Sequence, residues 1–268
     1  MLFRSLYQLL KAQAERILKT ADPGLEERLW MTLDENPTHE GVRNIIRNWM
    51  AQTAVSQTAE WVDRCQMVMA KTVERKGGLI QQEKTKPSGG PTDLGDEEVV
   101  GMAGNETEPK PTGQEPLRWQ VRTFAIELLG ELLSLASREL ARNPESSLEQ
   151  RLVEKIGDII KMAFSASTAN VVELRLGGLR IIDQILRIFG HTADPDFPDA
   201  PLLEQYQAQI GSALTPAFAV DSSPELATQA VNVGAAFIAT GIVKDVDRMG
   251  RILKLVTTAL ENFASEFS

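Results

Sequence analysis

The sequence predicts an all-α fold, an α-solenoid of stacked helical hairpins interrupted by one disordered insertion. Three observations carry that expectation. Across 116–268, apolar residues recur every three or four positions in segment after segment, which draws one stripe down each helix. Short turns marked by Pro, Asn and Gly separate the segments. Three segments also superpose at a near-constant interval. Those beginning at Val121, Leu174 and Leu226 start 53 and then 52 residues apart, with one other helix between each pair, so the repeating unit is a helical hairpin.

Taken in order, the chain opens with a helix expected over 2–18. Ala21-Asp-Pro-Gly breaks it, with Asp22 as N-cap and Pro23 at the first helical position of the next helix, 25–33. Asn36-Pro37 repeats that signal before Val42, Ile45, Ile46 and Trp49. A further helix is expected over 57–76, with Trp61, Val62, Cys65, Val68 and Met69 on one side. Beyond the insertion, helices are expected over 117–141, 147–166, 171–189, 201–218, 224–242 and 245–265. Their stripes include Val121, Phe124, Leu128 and Leu132 in the first and Ile252, Val256, Leu260 and Phe263 in the last. The stretch 226–243 is uncharged but contains Thr228, Gln229, Asn232 and Thr240 and is short for a membrane span. It reads as a helix packed between neighbours, with no direct membrane insertion.

The domain plan follows: N-terminal helical repeats over 1–76, a disordered acidic Gly/Pro-rich linker over 77–115, and helical repeats over 116–268. The linker is too poor in apolar residues to offset the entropy of ordering its backbone. Between Gly77 and Pro116 eight acidic residues face three lysines, which accounts for −5 of the net charge of −9. With that balance and no basic stripe, a nucleic-acid partner is not expected. Cys65 is the only cysteine, so no intramolecular disulfide forms; its apolar helical position suits an inert buried thiol.

The motifs of common chemistry are missing. His39 and His191 are the only histidines and sit at helix ends; no Walker loop, dinucleotide fingerprint or nucleophile elbow occurs. Catalytic, cofactor and metal residues are therefore expected to be none. Gly177-Gly178 falls mid-helix, where it costs roughly 1 kcal/mol per glycine and suits the close approach of a neighbouring helix. Arg118, Arg122, Arg175 and Arg180 recur on equivalent helices, with Trp119 between the first two. They would either line a groove for an acidic or phosphorylated peptide, or pair with nearby carboxylates and stay wet.

One segment goes beyond periodicity. Asp194-Pro-Asp-Phe-Pro-Asp-Ala-Pro-Leu-Leu-Glu-Gln-Tyr-Gln-Ala-Gln-Ile-Gly-Ser-Ala-Leu-Thr-Pro-Ala-Phe218 resembles a segment of the HEAT-repeat-containing protein five family, large scaffolds that include a fungal accessory protein of the clathrin adaptor. The flanks at 174–182 and 239–256 are similar to the same region, as are 117–125 and 61–66. The resemblance implies a HEAT-type α-solenoid, an internal piece of a longer chain, acting as a non-enzymatic scaffold in clathrin-adaptor traffic between trans-Golgi network and endosomes. Its partners would be the clathrin adaptor complex or its accessory proteins, and its location cytoplasmic, peripheral to those membranes. The alternative is a regulatory or self-associating (homo-oligomeric) helical domain of a larger protein whose catalytic part lies elsewhere. Asp194, Asp196, Phe197, Glu204 and Tyr206 present a docking edge in one reading. In the other, Phe197 and Tyr206 plug the gap between repeats while Asp194 and Asp196 stay solvated.

Overall fold

A computed structural model describes residues 24–70, 72–74, 114–116, 119–144, 146–219 and 222–266, with Gln13 and Arg16. The chain divides into two compact units: one comprises Met1–Lys71 and Leu117–Ser268, the other Thr72–Pro116. The helix expected over 2–18 lies outside the described residues except for Gln13 and Arg16, as does the linker expected over 77–115 except for Gln114 and Glu115.

In the smaller unit, β1 (Thr72–Glu74) pairs antiparallel with β2 (Gln114–Pro116), Thr72 opposite Pro116 and Glu74 opposite Gln114. The helix expected to reach residue 76 therefore stops at Ala70. The β-branched pair Thr72-Val73 favours extended backbone at that point.

The described residues of the larger unit form ten α-helices, the stacked hairpins of an all-α HEAT-type solenoid. They are α1 (Leu25–Glu35), α2 (Glu40–Thr53), α3 (Thr58–Ala70), α4 (Trp119–Arg142), α5 (Leu148–Glu154), α6 (Ile156–Ser167), α7 (Val172–Phe189), α8 (Gln207–Leu214), α9 (Pro224–Ala239) and α10 (Val246–Glu266). Helices α2, α4, α7 and α9 pack side by side in one layer. Helices α3, α5, α6 and α8 pack against that layer, and α10 packs against α9. The three segments that superpose in sequence, starting at 121, 174 and 226, all fall in the first layer, as a hairpin repeat requires.

Local chemistry explains the boundaries. Ser223 accepts a hydrogen bond from the Leu226 N–H and Pro224 occupies the first helical position, so α9 starts where the dipeptide predicts. Gly241, at φ 68°, ends it three residues before the expected limit by supplying a left-handed turn. Helix α2 departs from expectation. Asn36 and Thr38 form a turn, and His39 becomes the N-cap, its Nδ1 accepting from the Val42 N–H at 3.3 Å. The expected cap at Asp22 and Pro23 lies outside the described residues; Gly24 precedes α1. The single helix expected over 147–166 breaks at Lys155, whose N–H bonds the Leu152 carbonyl in a tighter turn. The one expected over 201–218 fragments into a 3₁₀ turn (Glu204–Tyr206), α8 and a second 3₁₀ turn (Thr215–Phe218); the last break falls where Pro216 has no N–H to continue the ladder.

The core is one continuous set of buried Leu, Ile, Val, Ala and Phe running from Leu33 to Ile252. The chain on both sides of the insertion contributes to it. Lys155 donates to Asp63 at 2.6 Å and Gln66 to Asp158 at 2.8 Å, tying α3 to the α5–α6 junction. At the α2–α3 turn, Trp49 and Trp61 meet edge-to-face at 4.7 Å, and Arg64 lies over both rings while binding Glu26 at 2.9 Å. Cys65 is buried among them, and burial pushes its thiol up to about 12. Gly177 and Gly178 mark the closest approaches. A Cβ on Gly177 would meet the Ile126 side chain at 2.6 Å, and one on Gly178 the Ala163 carbonyl and Ser167 N–H, both backbone, at 2.5 Å. Helix α9 packs against α7, α8 and α10, and among the described residues no helix is long and apolar enough to cross a membrane.

Candidate partner-binding surfaces

The segment between α7 and α8 is a knitted loop. Its ends are held by Asp194 N–H to the Ala200 carbonyl at 2.8 Å and Leu202 N–H to the Thr192 carbonyl at 2.9 Å. Asp194 organises the turn. One carboxylate oxygen accepts from the N–H groups of Asp196 at 2.9 Å and Phe197 at 3.3 Å, and the other accepts from Gln205 Nε2 at 3.2 Å. It is buried, against the reading that left it solvated; Asp196 is exposed. In the plugging reading Phe197 would fill the gap between repeats, but the Asp194-capped turn directs it outward, and it is 69% exposed. Tyr206 does fill the seam: it packs on the core, with its hydroxyl close to Gly157. Burial, reinforced by the charges of Asp194 and Asp158, pushes its phenol above the usual range. Glu204 binds Lys244 at 2.8 Å, fastening the loop's exit to the α9–α10 turn. The five residues thus share one neighbourhood, of which Asp196 and Phe197 are the exposed part.

The arginines are not brought together as a groove lining. Arg118 lies outside the described residues. Arg175 donates from Nη2 to the Pro216 carbonyl, closing the seam between α7 and the turn after α8. Arg122, at the equivalent position of the preceding repeat, is half-buried, and burial pulls its guanidinium below the usual value. In both, Nε is buried without a partner. Among the described three, Arg180 lines a groove, and it binds Glu225 at 3.1 Å.

That groove, about 960 Å³, crosses α2, α4, α7 and the start of α9. Most of its charges are paired within the molecule. Arg47 binds Glu127 at 2.8 Å and Glu131 at 2.9 Å, and Arg43 binds Glu127 at 3.3 Å. Gln184 bridges α7 to α4 by donating to the Gly130 carbonyl at 3.2 Å and Ser134 Oγ at 2.8 Å. Such a floor rigidifies the layer, although the Gln184 Oε1 is buried without a partner.

Sequence reasoning missed a second groove, of about 1050 Å³, between α8 with its trailing 3₁₀ turn, the start of α9, and α10. Arg248, Arg251 and Lys254 line it, and no carboxylate does among the described residues. Phe218, Leu255, Ala259 and Phe263 supply its apolar part. A usable signal was present in the repeat: the position held by Arg122 and Arg175 is Ala227 in the third unit, and Ala227 lines this groove. Among the described residues no group of three or more His, Cys, Asp and Glu is placed to hold a metal ion.

Comparison with known proteins agrees with the architecture. Residues 151–268 match the family described as the Laa1/Sip1/HEATR5 HEAT repeat region. Along 97% of its length the chain is 29% identical to the AP-1 accessory protein LAA1 of Saccharomyces cerevisiae, and along 90% it is 29% identical to Protein SWEETIE of Arabidopsis thaliana. It spans 13% and 12% of those relatives. No solved structure gives a significant match.

Proposed function

We propose that this chain, a member of the Laa1/Sip1/HEATR5 HEAT repeat family over residues 151–268, is a non-enzymatic scaffold segment holding protein partners in clathrin-adaptor-dependent traffic between trans-Golgi network and endosomes. The likeness along 97% of the chain to a protein named as an AP-1 accessory carries the reading. The physical basis is the two-layer stack. Each hairpin buries one face and leaves the other as part of an extended wall, which suits contact with long or multiple segments. The scaffold works without cofactor, in the cytoplasm and peripheral to membranes, with the adaptor complex or its accessory proteins as partners. The test is affinity recovery of the tagged full protein from cytosol, followed by immunoblotting for AP-1 subunits. Their enrichment over a tag-only control is expected; recovery of the protein without them overturns the adaptor assignment.

Self-association is a second reading, favoured by one observation. Val246, Leu253 and Leu260 stand exposed on α10 at seven-residue spacing, the seam by which one helix pairs with a copy of itself. Sedimentation velocity across a concentration series checks it, and a monomer at every concentration rules it out.

A further inference from the structure

We infer that the groove between α8, α9 and α10 binds an acidic segment of a partner protein in extended form. The segment's carboxylates lie toward Arg248, Arg251 and Lys254, and its apolar side chains toward Leu255, Ala259 and Phe263. The inference rests on the scaffold reading for the partner being a protein, and not on the adaptor assignment.

Charge is the first ground. In a chain of net charge −9, three cations line one groove with no facing carboxylate, and none of the three makes an ion pair among the described residues. Arg43, Arg47 and Arg180 on the neighbouring surface all do. Cations left unanswered at a rim raise the encounter rate with an acidic partner and select against a basic one.

Space is the second ground. Where the preceding repeat closes its seam with Arg175 on the Pro216 carbonyl, this repeat has Ala227, and the gap stays open. On the facing wall, a Cβ added to Gly211 would meet nothing within 4 Å. From Arg248 to Phe263 the α10 wall runs about 22 Å at the helical rise, room for roughly seven extended residues. Polarity along that wall is divided. The cations fall in its first half and Leu255, Ala259 and Phe263 in its second. A nucleic-acid backbone, charged at every residue, would leave the second half unmatched, whereas a peptide acidic at one end and apolar at the other meets both. Gln207 Oε1 at the start of α8 and Ser222 Oγ before α9, each buried without a hydrogen-bond partner, sit on half-buried side chains lining the groove opposite α10. Rotation into the groove would let them pair with a peptide backbone.

The experiment is fluorescence anisotropy with the intact protein and a fluorescein-labelled peptide of consecutive glutamates followed by leucines, about seven residues long. Saturable binding that weakens with added salt is expected. Arg251→Glu combined with Lys254→Glu, both on exposed positions, should weaken it about tenfold or more. Gly211→Leu, whose Cβ meets nothing within 4 Å and whose side chain takes up groove volume, should abolish it. Arg180→Glu, on the other groove, should leave it unchanged, and circular dichroism checks that each variant is folded. Equal binding by the charge-reversed or Gly211→Leu protein overturns the proposal. So does binding of phosphatidylserine vesicles without binding of the peptide. Failure of the unsubstituted protein to bind the peptide, with AP-1 still recovered from cytosol, sinks this groove alone; the reverse sinks the adaptor assignment alone.

Discussion

Arg47 and Arg180, in the groove across α2, α4 and α7, direct their charge to Glu127, Glu131 and Glu225, whereas Arg248, Arg251 and Lys254 on α10 face no carboxylate among the described residues. The glycines of the two grooves differ in the same sense. Gly177 abuts Ile126, while Gly211 looks into open space. The first surface is therefore an internal brace that happens to be exposed, with most of its charged groups paired and its helices in close contact. The second has volume and unmet charge, the two things a ligand can supply. A groove in a repeat protein is thus better judged by its unpaired groups than by its size, since these two differ little in volume.

The largest expected effect tests how tight the braced side is. Gly178→Ala puts a Cβ against the α6 backbone, so the helices must separate; a loss of about 2 kcal/mol is expected from urea unfolding, despite the gain in helix propensity. Next is Arg64→Ala, which removes a cation from over Trp49 and Trp61 and leaves Glu26 unanswered; about 1–2 kcal/mol should be lost. Gly211→Ala should do the opposite of Gly178→Ala and stabilise by up to about 1 kcal/mol, because nothing opposes the new methyl group. Destabilisation there would show that the second groove is closed. Glu127→Gln should cost no more than about 0.5 kcal/mol, since both partners are substantially wet, and 1 M salt should erase the difference.

Titration gives a finer comparison. The Tyr206 phenol is raised, so folding favours its neutral form. The associated stability is complete below the ordinary tyrosine range and is lost as pH rises through the higher folded value. Absorbance titration of the protein against Tyr206→Phe should place this phenol above a model tyrosine. The Cys65 thiol, near 12 when folded, should resist a thiol reagent at pH 8 and react once urea unfolds the chain.

Much of this was legible in the residues. The three-and-four spacing marks the helices because burial of one face imposes that period on the sequence, and the 53- and 52-residue interval marks the hairpins because each must repeat the contacts of the last. Ser223-Pro224 and Gly177-Gly178 could be read locally, since a cap and a missing side chain act within one turn or one helix contact. The break at Lys155 and the outward Phe197 could not. The first has no local marker of its own; its side chain lies on Asp63, 92 positions away in the chain, and the second follows from a turn that Asp194 builds by being buried.

Composition and periodicity by themselves determined an all-helical stack with its hairpin unit, because those properties are written into every turn of helix. The arginines show what they left open. Repetition alone ranks Arg122, Arg175 and Arg180 as equals, yet one reaches a carbonyl across a seam, one is half-buried, and one pairs with Glu225. Which cations stay unanswered depends on the carboxylates that neighbouring helices bring within reach, and that is settled only when the layers pack.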